Sequence, residues 1–397
     1  MEGLRCREKD RVATCVFADE IATLIIDKWK SFCDLRNDTV LAGIIARLPN
    51  GELEVISFGC GTKFMRSQDI LEDVKGEKLH DSHAEVLSKR SFILALYFDV
   101  ERILQGEEGL LLRRKGDSRF CLKDSVTIHL YSSSAPCGNS TIRRWSKSVY
   151  EKVVLQSSEW PEESHDPLHI VAKQQGQLAA SWKRDPAEIN GVGDGQVIAP
   201  GTLPILSKGR LLCCSDKIAL WNAVGLQGGI LSNIIDSIYL TTITVGRKYS
   251  KFHLQRALCC RLQEMDFSDE GFQLHHPSML CTSQKLSYDA ISQSDQAVFQ
   301  STTCYSWSVG DCRLWEVQGD QGTLVQEEER SPICRQNLHS RFNAIFSSLF
   351  PLQPSVKHEE LKGISDRARQ YYAHKQIAKD IMKDLTKPKR KRRRGNP

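Results

Sequence analysis

The sequence predicts an α/β fold, a sheet with helices on its faces. Three observations carry this. Short segments rich in β-branched and aromatic residues alternate with longer helical patterns along the 397 residues. Hydrophobic content of 40% with 26% charged residues is that of a globular chain with a sizeable core. No apolar run approaches the roughly 20 residues that span a bilayer, and no internal repeat interrupts the alternation.

The elements follow in order. Residues 18–34 read as a helix on the spacing of Ile21, Leu24, Ile25 and Trp29. "VLAGIIARL" (40–48) and "LEVISFG" (53–59) are strands around the turn "PNGE". A loop containing "CGTKFM" follows. Ser82 and Glu85, three apart, make a capping box that starts a helix running to about Leu104. "VTIHLYSS" (126–133) is a further strand, and "CGNSTIRRWSKSVY" after it reads as a helix. Residues 155–210 are punctuated by Gly, Pro and acidic residues and read as a long insertion, not a domain boundary. A helix is expected from about Ser215 to Ile235, then a strand at 237–246 and a helix through "FHLQRALCCRL". Residues 335–349 and 361–384 are also helical in pattern. One domain over 18–384 is therefore expected, containing the insertion and followed by a basic tail at 385–397.

The net charge of +5 is unevenly placed. "KPKRKRRR" (387–394) carries seven of the 54 bases, which leaves 47 against 49 acids elsewhere. A run of this kind repels itself and is expected to be disordered; a nuclear localisation signal, a nucleic-acid contact and a solubilising tail all fit it. The start, "MEGLRCREKDR", is too charged for a secretory signal, so a nuclear or cytoplasmic protein is expected. In such a compartment the fourteen cysteines read as thiols or metal ligands before disulfides.

Two strand–helix junctions carry chemistry. In "HDSHAEVLSKR" (80–90), His83 and Glu85 are too close in sequence to share a helical face. In a first turn, however, both side chains can reach over the helix end. A histidine there is also a commonplace surface residue. In "SSSAPCGNST" (132–141), Pro136 ends a strand and Cys137 is placed at the next helix start, where the dipole favours thiolate, the form that binds zinc. H-A-E followed by P-C is the zinc-deaminase pattern, in which the glutamate moves protons and is not a ligand. That pattern continues P-C-x-x-C, but Ser140 stands in its last position. The third ligand is expected in "CCSDKIALWN" (213–222). Cys214, next to the Ser215–Asp216 cap, is preferred over Cys213. The pair Cys259–Cys260 is expected inside a helix, without a cap. His83, Cys137 and Cys214 leave a tetrahedral Zn2+ one open position, the mark of a catalytic site.

At these residues the chain resembles a known family. "DSHAEVLSKRSF", "SAPCG" and "CSDKIALWNAVGLQGGILS" are similar to the deaminase domain shared by adenosine deaminases acting on tRNA and on double-stranded RNA. The resemblance covers about residues 18–382. It implies a cytidine-deaminase-like α/β/α core with a mixed sheet, extended by C-terminal helices. It implies hydrolytic deamination of adenosine to inosine, with Glu85 as the proton shuttle. "DEIATLI" is similar to the tRNA branch, whose members act on the adenosine 3′ of the anticodon of alanine tRNA. Double-stranded-RNA-binding domains before the catalytic region are not expected. Gly191 stands where duplex-acting members carry a base-flipping glutamate. A tRNA partner is therefore expected, with no obligate protein partner. Deamination of duplex RNA or of free nucleosides, and a catalytically silent RNA-binding role, are the alternatives. Thr62 and Lys63 match family residues near the substrate ribose and phosphate; an ordinary loop Thr–Lys is the other reading.

A last pattern concerns bases on apolar faces. Val86, Ile93, Tyr97, Val100 and Leu104 form one helical stripe, and Lys89 and Arg90 project within it. Lys375 shares a face with Ile364, Ala368, Tyr371, Ala378 and Met382. Either these side chains snorkel outward or they meet a buried polyanion. The family supplies a candidate, inositol hexakisphosphate. By motif its ligands match Lys89, Arg90, Lys217, Trp221, Arg335, Lys362, Tyr371 and Lys375, with Lys217 placed to relay toward Cys214. Leu220 and His80 replace a family arginine and asparagine, and the usual closing Trp–Glu–Lys segment is missing.

Overall fold

The computed structural model describes residues 2–32, 39–140, 182–183, 197–198, 211–262, 265, 267, 271–284, 286, 303–325, 330–351, 357 and 360–384. The helix expected at 141–150, most of the 155–210 insertion, Gly191 and the basic tail lie outside them.

Helix α1 (Glu2–Lys30) precedes the hairpin of β1 (Leu41–Arg47) and β2 (Leu53–Cys60). Strand β3 (Thr62–Phe64), helix α2 (Ser67–Glu72) and strand β4 (Asp81–His83) lead into α3 (Ala84–Leu104). Strands β5 (Leu111–Arg113) and β6 (Phe120–Leu122) pair before β7 (Thr127–Ser134). The two-residue strands β8 (Trp182–Lys183) and β9 (Val197–Ile198) pair with each other. Then come α4 (Cys214–Val224), α5 (Gly228–Leu231), β10 (Leu240–Arg247), α6 (Lys251–Leu258) and β11 (Ser278–Cys281). Strands β12 (Thr303–Ser308), β13 (Trp315–Gln318) and β14 (Thr323–Leu324) precede α7 (Arg335–Leu349) and α8 (Asp366–Asp384).

Eight strands form one mixed sheet in the order β11-β10-β7-β1-β2-β12-β13-β14. The β7–β10 and β10–β11 pairs are parallel and the others antiparallel. Helices cover both faces, as expected. Side chains alternate across a strand, so Leu41 and Ile45 of β1 face Ile21, Ile25 and Trp29 of α1. Ile44 and Ala46 face the opposite layer with Leu87, Phe92 and Leu96 of α3. A strand buried on both faces must be apolar throughout, which is why 40–48 reads as a run without alternation. Gly59 sets the depth of α3 on the sheet. A Cβ there would stand 2.6 Å from the Ala84 carbonyl oxygen and 2.7 Å from the Ser88 amide nitrogen. A smaller cluster joins α4 to α8 through Ala219, Leu220, Tyr371 and Ala378.

Several expectations change. The first helix begins before residue 18 and ends at Lys30. The Ser82–Glu85 capping box does not form, because Ser82 pairs with Lys63 in the β3–β4 ladder and His83 becomes the N-cap. The helix expected over 215–235 is broken by Gly225 at φ +88°, and β10 starts at Leu240 instead of 237. Helix α6 ends at Leu258, so Cys259–Cys260 lie in its capping turn and not inside it. The strands at 278–281 and 303–324 had no counterpart in the sequence reading. No helix of the described residues is long and apolar enough to cross a membrane. No disulfide joins the eleven cysteines whose side chains are described.

Candidate metal centre and the basic cavity behind it

Three chain segments meet at the ends of β4 and β7 and at the start of α4. His83 closes β4 with extended backbone, φ −65° and ψ 141°, so its ring leaves the helix axis. Cys137 lies just after β7 in a tight bend whose Gly138 has φ +99°. Cys137 itself lies in the bend, and the helix expected after it lies outside the described residues. Ser140 donates its hydroxyl to the Pro136 carbonyl and closes that bend, so the position that the pattern gives to a second cysteine serves the turn. Cys214 is the first residue of α4, and Cys213 is its N-cap.

The bend and α4 are stitched together. The Cys214 amide donates to Cys137 Sγ at 3.3 Å, the Ser215 amide to the Cys137 carbonyl at 3.0 Å, and the Asn139 amide to Ser215 Oγ at 2.9 Å. His83 Nδ1 lies 3.7 Å from Cys137 Sγ and 3.4 Å from Cys214 Sγ. One donor atom from each of the three falls within 4.8 Å of the others. A tetrahedral zinc with Zn–N of about 2.0 Å and Zn–S of about 2.3 Å holds N and S roughly 3.5 Å apart. The donor set and its spacing are consistent with zinc.

The electrostatics agree. Hydrogen bonds from the Cys213 and Cys214 thiols, with the His83 ring beside them, hold the Cys137 thiol well below its ordinary range. Glu85, the second residue of α3, is 2% exposed. Burial, reinforced by the Cys137 charge, raises its carboxyl, and a hydrogen bond to Cys214 places it beside the donor set. Thr62 pairs with His83 across the β3–β4 ladder and Lys63 with Ser82, so both stand on the strand next to the centre.

Two buried arginines brace the cysteine segments. Arg256 of α6 donates to the Asn139 carbonyl at 2.6 Å, two residues from Cys137. Arg261 pairs with Asp216, both fully buried, and donates to the Ser215 carbonyl at 3.1 Å. Sequence reading missed both, because a lone arginine in an apolar stretch does not announce its partner. Arg261→Met, which strands the Asp216 charge, is expected to cost about 3–5 kcal/mol, read as a lowered Tm.

Behind the centre lies a cavity of about 590 Å³. Its wall includes Lys89, Arg90, Lys217, Trp221, Arg335, Tyr371 and Lys375, seven of the eight residues expected there. His80 and Leu220 line it too, with Lys78 and Lys379. Lys362 is the exception. It is exposed on the 3-10 turn at 360–362, outside the wall, although its charge still lowers the Lys375 ammonium. Asp81 is the one acid of the wall among the described residues and is paired with Lys217. Arg335 donates to the Val74 carbonyl at 2.6 Å, while its buried Nε meets no partner among the described residues. Burial, then repulsion from Lys375, holds the Lys89 ammonium well below its ordinary range. Half-buried cations that outnumber the acids around a cavity fit a polyanion.

This geometry agrees with comparison to known proteins. Residues 57–389 match the model of the adenosine-deaminase (editase) domain. The chain belongs to that family. The double-stranded RNA-specific adenosine deaminase of Rattus norvegicus is 28% identical over 356 residues, covering 87% of this chain and 29% of the relative. The double-stranded RNA-specific editase Adar of Drosophila melanogaster is 28% identical over 351 residues, 84% of this chain and 48% of its own length. The tRNA-specific adenosine deaminase 1 of Drosophila melanogaster is 25% identical over 382 residues, covering 92% and 89%. The chain thus spans less than a third of the rat relative it matches. For an adenosine-deaminase domain the buried carboxyl and the three converging donors are the parts the chemistry requires, and the expected α/β/α architecture with a mixed sheet is present.

Proposed function

We propose that this protein is a zinc-dependent deaminase that converts adenosine to inosine in tRNA, at the position 3′ of the anticodon of alanine tRNA. The observation that carries the chemistry is the convergence of His83, Cys137 and Cys214 beside the buried Glu85. When bound there, zinc supplies an activated water for attack at C6 of adenine. Glu85 accepts a proton from that water. It would deliver that proton to N1, take the second proton from the new C6 hydroxyl and pass it to the leaving amine, so that ammonia departs and the C6 oxygen remains as the inosine carbonyl. Its burial keeps bulk water from competing for these protons. Thr62 and Lys63, on the strand beside His83, contact the ribose and phosphate of the target nucleotide. Lys89, Arg90, Lys217, Trp221, Arg335, Tyr371 and Lys375 hold inositol hexakisphosphate in the cavity, with Lys362 at its outer edge. The basic tail directs the protein to the nucleus or binds RNA.

Support for tRNA comes from the extent of the match within this chain: the tRNA-specific relative aligns with 92% of it, against 87% for the rat relative. The higher identity of 28%, against 25%, favours a duplex substrate instead. Incubation with total tRNA and with a long RNA duplex, followed by inosine mapping in both, decides between them. Inosine at one tRNA position supports the proposal; inosine confined to the duplex overturns the substrate while keeping the chemistry.

The two neighbouring cysteines are separable. Cys214→Ser is expected to lose both zinc and activity. Cys213→Ser, whose hydroxyl still donates toward Cys137, is expected to keep the metal. Metal analysis of the purified variants checks this, and the reverse result would show that the other sulfur is the ligand.

A further inference from the structure

A second set of soft donors lies away from the first. Cys259, Cys260 and His276 bring one donor atom each within 4.8 Å of one another. The two cysteines are adjacent in sequence, and adjacent side chains on a regular helix diverge by about 100°. Here the helix ends. Cys259 takes φ −147° and ψ −57°, and Cys260 begins a 3-10 turn. The broken backbone brings the two sulfurs to 3.7 Å. A disulfide needs about 2.05 Å. Two thiolates on one tetrahedral zinc, each at about 2.3 Å, stand roughly 3.8 Å apart.

His276 arrives from a different part of the chain, the segment leading into β11. That segment is held by the His275 amide, which donates to the Asn222 carbonyl at 2.8 Å, and by stacking of the His275 ring on Tyr239. The cysteines are buried and His276 is exposed. The cluster therefore has an interior side of sulfur and an outward side of imidazole, through which an ion can enter.

We propose that Cys259, Cys260 and His276 form a second metal site for a zinc-class divalent ion. Two thiolates and an imidazole are the donor types such an ion selects, and three protein donors leave one position for a further ligand. The site's location gives it a task. Cys259 and Cys260 sit between Arg256 and Arg261, the arginines that brace the segments carrying Cys137 and Cys214. An ion here joins the end of α6 to the 271–277 segment and fixes the spacing between the two braces. The inference is independent of the substrate reading and of the catalytic role of Glu85.

The test is metal content of the full chain, purified under reducing conditions with zinc supplied. Two zinc equivalents per chain are expected. Cys214→Ser should keep one, and Cys260→Ser should keep the other. His276→Ala, at an exposed position, gives a variant whose folding is not at issue; it too should lose one equivalent. Cobalt(II) added to Cys214→Ser reports the second site alone and should show a thiolate-to-cobalt charge-transfer band. One equivalent in the wild type, with none in Cys214→Ser, overturns the proposal. So does a Cys259–Cys260 disulfide found by mass spectrometry of the protein alkylated without reductant, or an unchanged metal count in His276→Ala.

Discussion

Glu85→Gln is expected to keep zinc and the fold but to lose inosine formation by about 10²–10⁴-fold, the span of a general acid–base group. The substitution is nearly isosteric, so the packing around this 2% exposed side chain is preserved. An amide can still hydrogen-bond the Cys214 sulfur. It cannot accept a proton from water and pass it on. A ligand role predicts a different pattern, in which metal and activity fall together. Zinc content and inosine yield must therefore be measured on the same preparation. Retained deamination, or zinc lost with activity, would sink the assignment of Glu85 as the proton carrier.

The largest stability effect is expected in the basic cavity, and there the sign is informative. Lys89 and Lys375 line one wall, and each is held below its ordinary ammonium range by burial; Lys89 is further lowered by Lys375. If nothing anionic meets them, Lys375→Met removes a buried charge and a repulsion, and the protein becomes more stable. If a polyanion sits between them, Lys89→Ala or Lys375→Met leaves phosphate charge unbalanced in the interior. Removing one partner of such a network costs about 3–5 kcal/mol, a large share of a domain's roughly 5–15 kcal/mol. The expected result is a sharply lowered Tm or insoluble protein, and low yield from cells that cannot make inositol hexakisphosphate. Mass spectrometry of acid-released small molecules identifies the anion. Folded, active protein without any inositol polyphosphate would refute this cofactor and leave the metal centre untouched.

Much of the centre was legible because its residues sit at element junctions, where a short pattern has a geometric meaning. His83 and Cys214 are a helix N-cap and a first helical residue, and both could be placed from the strand and helix around them. Helix α7 matched its expected bounds of 335–349, since its apolar periodicity is uninterrupted. Local signals failed where a distant partner outcompetes them. Ser82 has the sequence of a cap, yet pairing with Lys63 pulls it into a strand. Cys259–Cys260 continue a helical pattern, yet the chain turns away after Leu258. Strands β12 to β14, on one side of the sheet, escaped notice because each is short, and their register is set by pairing with β2 and with one another. Cys137 falls beside His83 and Cys214, where the neighbouring thiols and the His83 ring lower its thiol, a contribution that the local sequence pattern does not reveal.

The separation of the donors along the chain bears on the order in which the protein assembles. His83 and Cys137 are 54 residues apart, and His83 and Cys214 are 131 apart. An unfolded chain must close very long loops to bring them together, and it gains nothing until the sheet that joins their segments is paired. Capture of a metal at this centre would therefore be a late event, gated by strand pairing. A chelator present during refolding should slow the gain of activity but not the gain of secondary structure. The Cys259–Cys260 pair differs in kind. Its two sulfurs are neighbours, and His276 follows Cys260 after only sixteen residues. Such a local chelate can hold an ion while most of the chain is still unpaired, and would enter the final fold already closed.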